Sequence, residues 1–280
     1  GGFQINRYYS IFETDSAESH KKDKSLVLSN FYFSKYEVTN DMYIQFLNAI
    51  TDSVIRNKYT PRDENWTSET DLLQYQHYST QFPNHPVVNI TKEAMMAFCS
   101  WLTELYNKDP KRKYEYVEFT LPSAKQQLRA MTGDLDMASF SWGGPFVHNA
   151  KGEYMMNFNP LLDYEVYDES KLALDLNYRK EQLPILRRSR ALDGFELTAP
   201  VNSYYPSRFG IHNTNGNVAE VVSNSDYVLG GSFASMGWNC SNDMFFDHWS
   251  SESLPEKISL PSPQVGFRFV MTGFNELRRD

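Results

Sequence analysis

The chain has 280 residues, with 27 Lys and Arg against 35 Asp and Glu and a formal net charge of −8. Hydrophobic residues make up 41%, including 19 Phe, 18 Tyr and 5 Trp, which suffices for a self-supporting core and excludes a disordered tail. The acidic balance argues against nucleic acid as a partner, and no apolar run reaches the ~20 residues of a membrane helix, so no membrane span is expected.

In chain order, the first helical pattern is Asn40 to Ile50, with Met42, Tyr43, Phe46, Leu47 and Ile50 on one stripe and Thr39 placed to cap it. The polar stretch Thr51 to Gln81 reads as a solvated excursion. A second helix is expected from about Thr91 to Tyr106, with Met95, Phe98, Leu102 and Leu105 on its apolar face. A third opens with the capping-box pattern Ser123-Ala-Lys-Gln126 and stops at Gly133. Short strands are expected within Leu26 to Phe33, Tyr116 to Leu121, Tyr227 to Phe233 and Val265 to Met271. Asp163 to Arg190 is acidic at its start and basic at its end, and it too reads as a solvated excursion. The fold class is α+β, with much irregular backbone. Ordering each such residue costs ~1–2 kcal/mol, so aromatic packing or calcium held by loop oxygens is expected to hold the loops.

Two cysteines, Cys99 and Cys240, exclude a disulfide framework and a Cys-rich zinc site, and spacing leaves open whether they form one bridge. Six scattered histidines show no metal-ligand spacing. The chain opens on Gly1-Gly2 with no visible signal peptide.

Ten segments in order carry more information. They are Gly1-Gly-Phe3, Phe31-Tyr-Phe-Ser-Lys-Tyr-Glu-Val-Thr39, Pro86-Val-Val-Asn-Ile90 with the Phe98-Cys-Ser-Trp-Leu102 helix, Leu121-Pro-Ser123, and Trp142-Gly-Gly144. The series continues with Asp193-Gly-Phe195, Ala199-Pro-Val201, Phe209-Gly-Ile-His-Asn-Thr-Asn-Gly-Asn-Val-Ala-Glu220, Gly230-Gly-Ser-Phe233 and Gly266-Phe-Arg268. Together they resemble the formylglycine-generating enzyme, or sulfatase-modifying factor, family from Gly1 to about Met271. The resemblance implies one domain over residues 1–280 of C-type-lectin-like fold, poor in regular secondary structure, with insertions at about 51–81 and 160–190.

It also implies structural calcium, one or two ions. One ion falls to Asn157, Phe158, Asp193 and Phe195, and the second to Asn213, Gly216, Val218 and Glu220. These are hard oxygen donors, as calcium prefers, although Asn/Gly turns also form without metal. Aerobic members bind copper(I) between two cysteines placed three and eight residues after the Ser of Gly-Gly-Ser. Here Ser232 is followed by Ser235 and Cys240, so the first cysteine is a serine and copper is not expected. Ser232, Ser235 and Cys240 would then be vestiges of a catalytic site. Met236 beside Cys240 offers a poorer alternative donor, and Cys240 reads as an inert thiol or a lone nucleophile. The family's aromatic before the Glu of the Gly-Asn motif is Ala219, which removes a wall of the cleft, and its Arg-Leu-Pro-Thr-Glu segment reads Thr120-Leu-Pro-Ser-Ala124.

The segment from Trp142 to Phe158 resembles family members among lipoproteins of gliding motility and type IX secretion, which use the fold as a scaffold. The expectation is therefore a non-catalytic extracytoplasmic scaffold or binding module, periplasmic or lipid-anchored, whose leader is absent from this chain and whose partners are proteins of the bacterial cell envelope. The alternative is a formylglycine-generating oxidase with an altered metal site, acting on a cysteine-containing polypeptide. Iron-dependent sulfoxide synthases share the domain but add a His-rich partner domain that nothing here resembles.

Overall fold

The structure, a computed structural model, describes residues 30–66, 77–133, 135, 138–160, 193–225, 227–242 and 260–273, and strand residues 3–5, 9–10 and 25–26. Strands β1 (Phe3–Ile5), β2 (Tyr9–Ser10), β3 (Ser25–Leu26) and β4 (Phe31–Phe33) precede helix α1 (Asn40–Ala49). Thr39 caps α1 as its sequence predicts, its side chain accepting the Met42 amide proton. Then come α2 (Ser53–Tyr59), α3 (Tyr78–Gln81) and α4 (Lys92–Lys108), the last capped by Thr91. Strand β5 (Glu118–Thr120) leads to α5 (Ala124–Thr132), which opens on the Ser123/Gln126 capping box and ends at Gly133 with φ 63°. Strands β6 (Ala219–Val221), β7 (Val228–Leu229), β8 (Val265–Gly266) and β9 (Val270–Thr272) complete the set.

Among the described residues an antiparallel sheet runs in the order β1-β4-β9-β5, and β2 pairs with β3. A second sheet has the order β7-β6-β8, with β6 antiparallel to β7 and parallel to β8. The run expected as one strand from Val265 to Met271 is broken. Phe267 and Phe269 give their carbonyls to the amides of Val38 and Ser34, so this stretch bonds to the loop after β4 instead of to a ladder. That break moves Arg268 off the sheet and into the interior.

The largest core lies where α1 and α4 meet the second sheet: Tyr43, Phe46, Met95, Phe98, Leu121, Val265 and Phe267 are all buried there. Phe98 packs edge-on against Phe46 and Phe267, at 5.8 and 5.5 Å between ring centroids. Each such fully buried side chain contributes about 1.5–3 kcal/mol. Cys99 belongs to this cluster, where burial pushes its thiol up to about 12, and Cys240 lies in a different one. The two thiols are therefore not bridged.

The solvated reading of Thr51 to Gln81 holds for Ser53–Tyr59, which has no buried residue, and is corrected at Trp66 and Tyr78. Trp66 and Tyr78 are buried with Val88, Leu197, Val218 and Phe233, the Trp66 ring packing between those of Tyr78 and Phe233. The excursion between Asp163 and Arg190 lies outside the described residues.

Candidate functional site

Strand β6 alternates as strands must: Ala219 and Val221 enter the aromatic core, and Glu220 turns to the opposite side. Ala219 is thus a core residue at 2% exposure, and the expectation that it opens a cleft wall is corrected. Glu220 accepts from Arg268 Nε at 2.5 Å through one oxygen and from Gln127 Nε2 through the other. Arg268 is fully buried and is held further by the carbonyls of Ser34, Lys35 and His212. Its Nη2 also lies 3.5 Å from Glu37 Oε2, so one guanidinium serves two buried carboxylates. Burial pushes Glu37 up to about 7, against the pull of Arg268 and with the added repulsion of Glu220. Burial raises Glu220 too, and Arg268 opposes it.

Asn217 ties this network to the neighbouring loops. Its side-chain oxygen accepts from Ala199 N at 2.7 Å and from Asn157 Nδ2 at 3.1 Å, and its Nδ2 donates to Glu37 Oε1 at 2.8 Å. Its amide donates to the Asn157 carbonyl at 2.8 Å. Gly216, at φ 76°, sits against the same peptide: a Cβ there would fall far inside contact with the Asn157 carbonyl oxygen and 3.1 Å from its carbon. Asn213, at φ 52°, points its Nδ2 at Glu37 Oε2 (3.4 Å), while its Oδ1 is buried without a hydrogen-bond partner. The Val218 side chain is buried in the Trp66 cluster.

Asn157, Phe158, Asp193 and Phe195 are brought together on the other side of Asn217. Asp193 accepts the amides of Phe195 at 3.2 Å and Phe158 at 3.3 Å, and the Tyr204 hydroxyl at 3.2 Å. Burial pushes its carboxyl up to about 7, opposed only by neutral donors, these three and its own amide. Asn157 is 1% exposed, gives its Nδ2 to the Leu197 carbonyl at 2.7 Å, and leaves Oδ1 buried with no partner. A buried, orphaned amide oxygen on the residue before Phe158, whose amide Asp193 accepts, with no Lys or Arg paired with Asp193 among the described residues, suits a hard cation such as calcium. Asn157, Phe158, Asp193 and Phe195 would hold it. Among the described residues no three His, Cys, Asp or Glu side chains converge. The donor sets rest instead on amide and main-chain oxygens with one carboxylate each.

Ser232 and Ser235 close one turn, and Cys240 ends the short 3-10 helix Trp238–Cys240 that follows it. The Ser235 hydroxyl accepts the Ser232 amide at 2.9 Å and lies 3.2 Å from the Ser232 hydroxyl, which also reaches Gln264 Oε1 at 3.2 Å. Cys240 is fully buried among Phe140, Met156 and Phe158, with its Sγ 3.9 Å from the Ser232 carbonyl. A Cβ on Gly231, at φ 66°, would stand 2.5 Å from that sulfur. Asn215 fixes the turn from below, donating to the Cys240 carbonyl at 2.6 Å and accepting the Ser141 amide at 3.0 Å.

Residues 7–272 match the family described as sulfatase-modifying factor enzyme 1-like domain. This chain belongs to that family. Sulfatase-modifying factor relatives include the formylglycine-generating enzyme of Thermomonospora curvata, 26% identical over 194 residues. That alignment covers 69% of this chain and 45% of the relative, so the chain spans less than half of the curated protein it matches. Among solved structures, PvdO of Pseudomonas aeruginosa superposes with a TM-score of 0.51 at 15% identity, over 99% of this chain and 92% of that one. CarF superposes with a TM-score of 0.50 at 16% identity, over 96% of this chain and 98% of that one. At such identities the likeness establishes the fold alone.

For a sulfatase-modifying factor domain, the donors at the Gly-Gly-Ser turn do not fit a copper(I) dithiolate. A neutral hydroxyl already engaged by the Ser232 amide is a hard and poor ligand for a soft ion, and the remaining thiol is sealed in an apolar cluster. Sequence reasoning quoted Glu37, Asn215, Asn217 and Arg268 within motifs but assigned them no role, and it missed Gln127. A charged residue inside an apolar run, as in Phe267-Arg-Phe269 or Tyr36-Glu-Val38, was the available signal, because such a charge is buried only when paired.

Proposed function

We propose that this domain is a non-catalytic sulfatase-modifying factor domain, serving as an extracytoplasmic scaffold or binding module of a bacterial cell envelope. The observation that carries the reading is Ser235 in the position of the first metal-binding cysteine, with its hydroxyl committed to the Ser232 amide. The burial of Cys240 supports it, since a thiol closed off by Phe140, Met156 and Phe158 has no open face for a substrate. A structural calcium ion at Asn157, Phe158, Asp193 and Phe195 completes the reading; such loops suit an environment where calcium is plentiful. Among the described residues no helix is long and apolar enough to cross a membrane. Protein partners of the envelope have exposed rings to meet, among them Phe146 at 74% and Trp238 at 56% exposure. The resemblance of the Trp142 to Phe158 segment to gliding-motility lipoproteins supports the same placement.

A second reading, an oxidase that generates formylglycine in a cysteine-containing polypeptide through an altered metal site, is favoured by the retained Cys240 and by the likeness to the Thermomonospora curvata enzyme. The two are separated by incubating the protein with a sulfatase-type cysteine peptide, copper and oxygen, and reading the peptide by mass spectrometry. The peptide is expected to stay unchanged. Conversion of its cysteine to formylglycine overturns the non-catalytic reading.

A further inference from the structure

Strand β5 ends the order β1-β4-β9-β5, and a strand at the edge of a sheet ordinarily leaves a row of backbone donors and acceptors open to another chain. Successive strand residues turn these groups to opposite sides, and Val117 and Phe119 turn theirs away from β9 and toward α4. Asn107 donates its Nδ2 to the Val117 carbonyl at 2.8 Å and accepts the Val117 amide on Oδ1 at 3.0 Å. The Thr103 hydroxyl accepts the Phe119 amide at 2.9 Å and lies 3.5 Å from the Phe119 carbonyl. Before them in the chain, Arg112 Nε donates to the Glu115 carbonyl at 3.1 Å. We propose that Thr103 and Asn107 make α4 stand in for a further strand, guarding β5 against pairing with the same strand of a second copy of this chain.

Spacing and chemistry both fit this role. Thr103 and Asn107 lie four residues apart on one face of α4, roughly 6 Å along its axis. Val117 and Phe119 repeat at roughly 7 Å along β5, so each side chain meets one outward-facing residue. A carboxamide carries a donor and an acceptor side by side, as a strand residue does, and a hydroxyl carries both on one atom. The segment behind the guard needs one. Tyr114-Glu-Tyr-Val-Glu-Phe-Thr-Leu121 is rich in aromatic and β-branched residues and holds no proline, a composition that pairs readily with other strands. The grip of α4 at this place is also largely polar. Its buried residues Ala94, Met95, Phe98 and Cys99 fall in its first half, and beyond them it offers the Val117 and Phe119 cluster the half-buried Leu102 and Tyr106. The second half of α4 is therefore the part that lifts from β5 when Thr103 and Asn107 lose their bonds.

The test compares the native protein with a double variant, Thr103→Val with Asn107→Leu, which keeps the side-chain shapes and removes the hydrogen bonds. Ser100→Ala is the control, since that hydroxyl bonds back to the Met96 carbonyl of the same helix. Circular dichroism confirms the fold, hydrogen exchange reads the amides of Val117 and Phe119, and sedimentation over a wide concentration range reads association. In dilute solution the double variant is expected to exchange these two amides about tenfold faster than the native protein. At high concentration it is expected to associate more than the native protein and to regain protection across β5, while Ser100→Ala matches the native protein throughout. If the double variant does not fold, Asn107→Ser, whose side chain is too short to reach Val117, replaces it with the same expectations at that amide. Faster exchange without added association overturns the guard and leaves the two side chains a docking role alone. Association that leaves β5 unprotected overturns it as well, and unchanged exchange overturns the bonded edge itself.

Discussion

Arg268→Met is expected to lower stability by about 3–5 kcal/mol, the usual consequence of removing one partner of a buried ion pair and leaving charge behind. Methionine fills most of the volume, so the loss reports charge and hydrogen bonding more than a cavity. Glu220 would lose its 2.5 Å donor and Glu37 its only close cation among the described residues, while three carbonyl oxygens lose a partner. Urea unfolding of the native and variant proteins checks this; a change within 1 kcal/mol would show that the trio carries little of the stability. The same site sets a pH dependence. Glu37 holds its proton up to about 7 in the fold, against an ordinary 4.5. A carboxyl that binds its proton more tightly folded than unfolded contributes stability fully below pH 4.5, and that contribution is lost as pH rises through about 7. Stability is therefore expected to fall between those values, by an amount on the order of 3 kcal/mol from this residue. Glu37→Gln keeps the neutral shape and should flatten the slope. Asp193, raised to a similar value by burial, adds to the slope in calcium-free buffer, so both proteins are compared under chelator.

Gly216→Ala is the second large effect. The backbone there has φ 76°, a conformation that costs an L side chain ~1–2 kcal/mol, and the new Cβ would collide with the Asn157 carbonyl. That carbonyl cannot retreat freely, because it accepts the Asn217 amide at 2.8 Å, and Asn217 in turn holds Ala199 and Glu37. Strain and overpacking together predict a loss of at least about 3 kcal/mol. Gly194, also at positive φ, has nothing within 4 Å of its virtual Cβ, so Gly194→Ala should cost only the backbone term. Comparison of the two denaturation midpoints isolates the collision: equal losses would contradict the close approach of the two loops.

The helices were legible because their signals are local. Thr39 and the Ser123/Gln126 box each report on an amide three residues away, and the apolar stripe of α4 needs only its own spacing. The strands were overextended, since the Phe267 to Phe269 break depends on Ser34 and Val38, more than two hundred positions away. Trp66 and Tyr78 were lost in a polar stretch for the same reason: their burial comes from Phe233 and Leu197. At the site, the Asn-Gly and Asp-Gly turns could be read as oxygen-donor loops. What spacing does not reveal is that Glu220 and Asp193 have opposite surroundings, one against a guanidinium and one against neutral donors. That distinction arises only when Arg268 leaves its strand and folds inward.

The account turns on the metal chemistry of the Gly-Gly-Ser turn, and copper(I) titration against a competing chelator tests it most directly, with the native protein beside Ser235→Cys. The native protein is expected to take no copper(I) from the chelator, since Ser235 supplies no thiolate and Cys240 is closed within Phe140, Met156 and Phe158. A gain of copper by the variant would mark the turn as a dithiolate site one atom short. Tight binding of one copper(I) ion by the native protein would contradict the account and place an active metal centre at Cys240.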